Sequence, residues 1–189
     1  LKGLTHPRTA VRGNLLGAAG MLLAVVLTLI DQQIVSYEMI LLGLIVGGAI
    51  GAALAIKIEM TSMPELVAVF NGFGGIASVL VAGAALIENT MGAEVPLVQL
   101  TVAIAASGLI GAVTFWGSLV AFGKLQEISW MRKPFRVPAQ HLINALLAVI
   151  VLLLAALLAS SGGWSSGWWP VFFYLLVVIV ASALGLMLV

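Results

Sequence analysis

The sequence predicts an all-α integral membrane protein, a bundle of about six transmembrane helices, and three observations carry that expectation. Hydrophobic residues fill 62% of the 189 positions and charged residues only 8%, where soluble domains run at about 25% charged. Mean hydropathy is +1.23. Apolar stretches recur near residues 14–30, 39–56, 66–87, 97–122, 142–159 and 168–189, each close to the roughly 20 residues that cross a hydrocarbon core about 30 Å thick.

The third observation is the placement of charge, which tests that count because each added or missing span would exchange the two sides for every later loop. Lys2, Arg8 and Arg12 precede the first span, Lys57 follows the second, and Lys124, Arg132, Lys133 and Arg136 follow the fourth, which accounts for all eight basic residues. The intervening connections carry Asp31, Glu38, Glu88 and Glu94, and Trp164, Trp168 and Trp169 read there as an interfacial aromatic belt. Both chain ends are therefore expected on the cytoplasmic side, or on the matrix side of a mitochondrial membrane.

Residues 1–13 read as a cytoplasmic-side connector, since His6-Pro7 disfavours helix before the proline. With no initiating methionine and no cleavable signal pattern, the sequence reads as part of a longer polypeptide. The second span places Gly43, Gly47 and Gly51 on one face at four-residue spacing, which invites a close helix crossing. The third begins with Thr61 or Ser62 as possible caps, Pro64 at an early helical position and Glu65 near the positive end of the helix dipole. Its interior carries Asn71-Gly72-Phe73-Gly74-Gly75, which puts a polar amide inside the membrane. An unpartnered amide in hydrocarbon costs several kcal/mol, so Asn71 is expected to face protein or water. The fourth span is the longest, with Thr101, Ser107, Thr114 and Ser118 along it, and the loop after it is basic and broken by Pro134 and Pro138. A small-residue rhythm shared by IVGGAIGAALAIKIEM and SGLIGAVTFWGSLVAFGKL is a weak internal repeat.

Two segments, KIEMTSMPELVAVFNGFGG at 57–75 and GAVTFWGSLVAFGKL at 111–125, resemble the membrane part of the beta subunit of proton-translocating nicotinamide nucleotide transhydrogenase, and the resemblance covers nearly the whole chain. It implies a segment that couples proton passage to hydride transfer from NADH to NADP+, with the redox chemistry outside these residues. It also implies that no cofactor is bound by this chain, while NADP(H) and NAD(H) serve the full complex. The implied partners are the lipid bilayer, the remaining beta-subunit helices with a soluble NADP-binding domain, and an alpha subunit with the NAD-binding domain, the whole assembly being generally paired as a dimer. A bacterial cytoplasmic (inner) membrane is the implied location ahead of a mitochondrial one.

In that family the position seven residues after Pro64 is a histidine in some members, thought to relay protons. Here it is Asn71, which can orient water but cannot titrate near neutral pH as an imidazole does. On residue type alone Asn71 reads first as interhelical glue, and the resemblance raises a proton-pathway role. Ser118 is implicated by the same resemblance; its structural alternative is a hydroxyl bonding back to its own helix. Thr114, four residues earlier, extends the polar face. Glu65, Glu59 and His141 are candidates for coupling at the cytoplasmic edge, each with a plain structural alternative as a helix-start acid or an interfacial anchor. No Asp, Glu, Lys, Arg or His lies well inside a span, so a proton route within this chain is expected to use water, hydroxyls and amides.

Gly72, Gly74 and Gly75 form an isolated G-x-G-G inside an apolar helix. A dinucleotide fingerprint needs G-x-G-x-x-G between a strand and a helix, so close helix packing is the expectation. The absence of cysteine excludes disulfides and thiolate metal sites, and no basic-aromatic surface suited to nucleic acid is present. Two other function classes fit the composition: a small-solute secondary transporter, which requires a substrate-sized polar pocket at the midplane, and a purely structural membrane subunit.

Overall fold

The computed structural model describes residues 7–30, 37–91, 98–128, 138–160 and 168–189. Six helices in these residues are long and apolar enough to cross a membrane. They are α1 Pro7–Ile30, α2 Tyr37–Lys57, α3 Met63–Met91, α4 Val98–Leu125, α5 Gln140–Ser160 and α6 Trp169–Leu188. Asp31, Glu94, Trp164 and the loop basic residues Arg132, Lys133 and Arg136 lie outside the described residues.

The chain forms two compact units, Leu1–Ile58 and Glu59–Val189. In the first, α1 begins at Pro7, within the expected 1–13 connector. A proline is suited to the first turn because it has no amide proton to leave unpaired. Arg8 and Arg12 thus sit on the first turns of the helix, where long basic side chains reach headgroups. Along α2, a Cβ added at Gly43, Gly47 or Gly51 would meet nothing within 4 Å. Within this unit no helix crosses closely on that face: a glycine row permits approach, but an opposing surface must supply the attraction.

In the second unit α4 packs against α3, α5 and α6. Leu86, Ile104, Val151, Leu158 and Val177 are at most 3% exposed and form the core with Ala105, Ala112 and Ala181. Lipid tails are as apolar as leucine, so close packing and interhelical hydrogen bonds must favour association. Small residues make that packing possible. A Cβ at Gly75 would stand 2.6 Å from the Gly111 carbonyl oxygen, and one at Gly185 would stand 2.7 Å from that of Val113. Tyr174 fills the space left by Gly83 and Gly108, and its hydroxyl donates to the Val79 carbonyl at 2.5 Å. The Thr101 hydroxyl donates to the Ala159 carbonyl at 3.1 Å and joins α4 to α5.

The ends of the second unit are set by local chemistry. A short 3-10 turn, Met60–Ser62, leads into α3, and the Ser62 amide donates to the Glu59 carbonyl at 3.0 Å. α4 stops in a Schellman closure: the Ile128 amide bonds the Gly123 carbonyl at 3.0 Å, the Glu127 amide bonds that of Lys124 at 3.1 Å, and Glu127 takes a positive φ of 50°. The Met187 carbonyl in the last turn of α6 accepts from Gln140 and Asn144. Donors at this end complement the negative pole of the helix dipole.

Candidate functional site

The polar centre lies where α3 crosses α4. Asn71 Nδ2 donates to Ser118 Oγ at 2.8 Å, joining side chains 47 positions apart. Ser118 is 8% exposed. The approach depends on Gly72, whose Cβ position lies 3.4 Å from Ser118 Cβ and 3.6 Å from the Phe115 carbonyl oxygen. A larger residue at 72 would press on the serine. One turn further along, Gly75 and Gly111 bring the two backbones together.

These three α3 glycines do not share one role. Gly72 and Gly75 are buried against α4, whereas a Cβ at Gly74 would meet nothing within 4 Å. Gly74 instead lines a recess of about 440 Å³ together with Asn71, Gly75, Ser78, Ser107 and Thr114. No ionisable side chain borders this recess.

The bond between the pair leaves chemistry available. A serine hydroxyl that accepts from an amide still has its own proton to donate, and the asparagine carbonyl still has lone pairs to accept. Asn71 borders a hollow large enough for several waters, with the buried Ser118 hydroxyl bonded behind it. Such a pair can orient a hydrogen-bonded water chain without itself changing charge.

The other candidates sit elsewhere. Glu65 lies in the first turn of α3, six residues before Asn71, or about 9 Å along the axis. Its carboxylate accepts a hydrogen bond from Gln126 Nε2 just beyond α4, so it ties the start of α3 to the end of α4. Glu59 and His141 are exposed, the first before the turn that precedes α3 and the second in the first turn of α5. Neither reaches the Asn71–Ser118 bond. Among the described residues, no group of three His, Asp or Glu side chains is placed to hold a metal ion.

Four contributors were not singled out from the sequence. Ser78 and Ser107 line the recess, and the available signal was their seven-residue spacing from Asn71 and Thr114 on the same helical faces. Gln126 holds Glu65, and Tyr174 clamps α6 to α3; nothing in the local sequence announces either contact.

The transhydrogenase beta-subunit family model matches residues 1–189. The chain belongs to the NAD(P) transhydrogenase beta-subunit family. Two NAD(P) transhydrogenase beta subunits of Rhodospirillum rubrum, one from a specified strain, are each 40% identical to it over 149 residues, 75% of this chain. The match covers 31% of those relatives, so this chain corresponds to a minor part of a transhydrogenase beta subunit. The polar pair at Asn71 and Ser118 falls in the two segments that carried the resemblance.

Proposed function

We propose that this chain is the proton-translocating membrane segment of a transhydrogenase, coupling proton movement to hydride transfer from NADH to NADP+ in nucleotide domains outside these residues. The observation that carries the reading is the Asn71–Ser118 hydrogen bond at the mouth of a recess between α3 and α4. Its place in the family supplies the reaction.

Hydride exchange between two nicotinamides is nearly balanced, so the membrane must bias it. About 150 mV acting on one proton supplies roughly 3.5 kcal/mol, or about 2.5 powers of ten in the product ratio. For that energy to be transmitted, proton access must depend on nucleotide occupancy, which requires a two-state element. The start of α3 at Glu65, tied to Gln126 at the end of α4, offers a mechanical link between the polar pair and the side where basic loops emerge. The working assembly in this reading contains the remaining beta-subunit helices, an NADP-binding domain and an alpha subunit with its NAD-binding domain, paired as a dimer. It sits in a bacterial inner membrane with both ends of this chain on the cytoplasmic side. A solute transporter would also accept a polar recess of this size, and it is membership of the transhydrogenase beta-subunit family that favours the proton reading over it.

The test is Asn71→Ala in vesicles containing the complete complex, measuring proton pumping and hydride transfer at matched assembled protein. Pumping is expected to fall with coupled hydride transfer in step. Unchanged coupling would return Asn71 to interhelical glue.

A further inference from the structure

Tyr174 brings a polar group into the core of the second unit, where it is 4% exposed on α6. The two edges of its ring meet different helices. Cε1 stands 3.2 Å from where a Cβ on Gly83 of α3 would be, and Cε2 stands 2.5 Å from the same position on Gly108 of α4. The hydroxyl donates to the Val79 carbonyl at 2.5 Å, an oxygen that the α-helical ladder also offers to the amide four residues on, that of Gly83. The ring is therefore held between α3 and α4, where two missing side chains leave it room.

Positions 72 with 118, 75 with 111, and 83 with 108 through the ring show α3 and α4 running antiparallel. Their separations differ. At 75 and 111 the backbones touch, a Cβ on Gly75 lying 2.6 Å from the Gly111 carbonyl oxygen, whereas at 83 and 108 an aromatic ring stands between them. Along α3, Gly83 lies about 12 Å to one side of this contact and Asn71 about 6 Å to the other. Close-packed helices transmit strain, so the contact acts as a fulcrum. Closure by about 1 Å at the ring would open the polar pair by about 0.5 Å. The Asn71–Ser118 bond would pass from 2.8 Å to about 3.3 Å, outside the usual range of roughly 2.7–3.2 Å.

We propose that Tyr174 is a positioning residue for the polar pair: its ring spaces α3 from α4 beyond the Gly75–Gly111 contact and thereby sets the Asn71–Ser118 distance on the other side of it. What the pair then does rests on the proton-translocating reading above. α6 also grips α4 nearer the pair, where a Cβ on Gly185 would stand 2.7 Å from the Val113 carbonyl oxygen. A displacement of α6 is therefore carried to the polar centre through packed groups, as a change in the splay of α3 and α4.

Double-mutant cycles on the assembled complex in detergent test the spacing. Sites more than about 10 Å apart normally give additive shifts, and Gly83 lies about 18 Å along α3 from Asn71. Tyr174→Leu removes the ring. The fall in denaturation midpoint that Ser118→Ala causes in the unsubstituted complex is expected to vanish in that background, because the bond is already lost. Gly108→Ala refills the slot from α4, so adding it to Tyr174→Leu is expected to restore the fall, and Tyr174→Phe, which keeps the ring, is expected to preserve it. Equal shifts from Ser118→Ala in every background would overturn the proposal. Tyr174→Met carries the test should Tyr174→Leu fail to assemble. Protons pumped per hydride in vesicles, at matched assembled protein, give the second readout: the ratio is expected to fall in Tyr174→Leu and to recover with Gly108→Ala. A residue that only held the bundle together would lower the amount assembled and leave the ratio unchanged, which would overturn the positioning role. Unchanged coupling in Asn71→Ala alongside a non-additive cycle would remove the proton reading alone, and lost coupling in Asn71→Ala alongside an additive cycle would remove the positioning role alone.

Discussion

Adjacent glycines in α3 provide a decisive perturbation, because Gly74 and Gly75 differ by one position and face opposite surroundings. A Cβ at Gly75 would stand 2.6 Å from the Gly111 carbonyl oxygen and 2.8 Å from the Phe115 amide nitrogen. Carbon–oxygen contacts settle near 3.3 Å, so the helices would have to part by about 0.7 Å. Both atoms belong to the backbone of α4, and no side-chain rotation relieves the clash. The Asn71–Ser118 bond, 2.8 Å long and one turn away, would be carried toward the distance at which hydrogen bonds cease to count. Overpacking of this kind costs about 1–3 kcal/mol, with roughly another 0.6 kcal/mol for the interhelical bond. Gly74→Ala meets nothing within 4 Å and is expected to be neutral or to stabilise the helix by about 0.5–1 kcal/mol. Thermal denaturation of the assembled complex in detergent compares the two: Gly75→Ala is expected to lower the transition by several degrees and Gly74→Ala to leave or raise it. Indistinguishable variants would refute the claim that the Gly75–Gly111 contact sets the α3–α4 separation.

Three further substitutions probe the joints that hold this crossing in place. Tyr174→Phe keeps the ring between Gly83 and Gly108 and loses only the bond to the Val79 carbonyl, so it should cost roughly 0.6–1.5 kcal/mol. Gly108→Ala places a Cβ 2.5 Å from the Tyr174 ring and should cost more; the order of their denaturation midpoints checks this. Thr101→Val removes the bond to the Ala159 carbonyl while keeping side-chain size. It is expected to loosen α5 from α4 by about 1 kcal/mol, with faster amide exchange near Ala159 as the readout.

Much of the second unit was legible because membrane insertion constrains sequence severely. Apolar runs and alternating charge indicated six helices, four of them in this unit, and the family resemblance pointed to Asn71 and Ser118, which the structure brings into contact. The glycines were harder to read. Gly43, Gly47 and Gly51 have the same small-residue signature as Gly72, Gly75 and Gly111, yet only the latter meet a neighbouring helix. Glycine records permission to approach, and whether an approach occurs depends on the surface opposite, which no single span encodes. Ser78 and Ser107 were passed over for a related reason. A helical hydroxyl bonded to the carbonyl four residues back, as Ser78 is to Gly74, looks self-satisfied in sequence; its value as a lining group emerges only when packing leaves that face open.

On the proton-translocating reading, a bundle with no ionisable side chain bordering its polar recess must separate two tasks that a titrating residue combines. A histidine at position 71 would both hold a proton and orient its neighbours, whereas Asn71 can only orient. Storage of charge then belongs outside the span, to groups at its ends or on other parts of the complex. Orientation must be accurate, since a water chain held by one amide and a few hydroxyls has no charge to draw it into line. Accuracy comes from backbone contacts: Gly75 against Gly111 and Gly185 against Val113 leave α4 little freedom toward α3 or α6. The small residues that make the crossing tight are therefore what hold the neutral amide of Asn71 against Ser118.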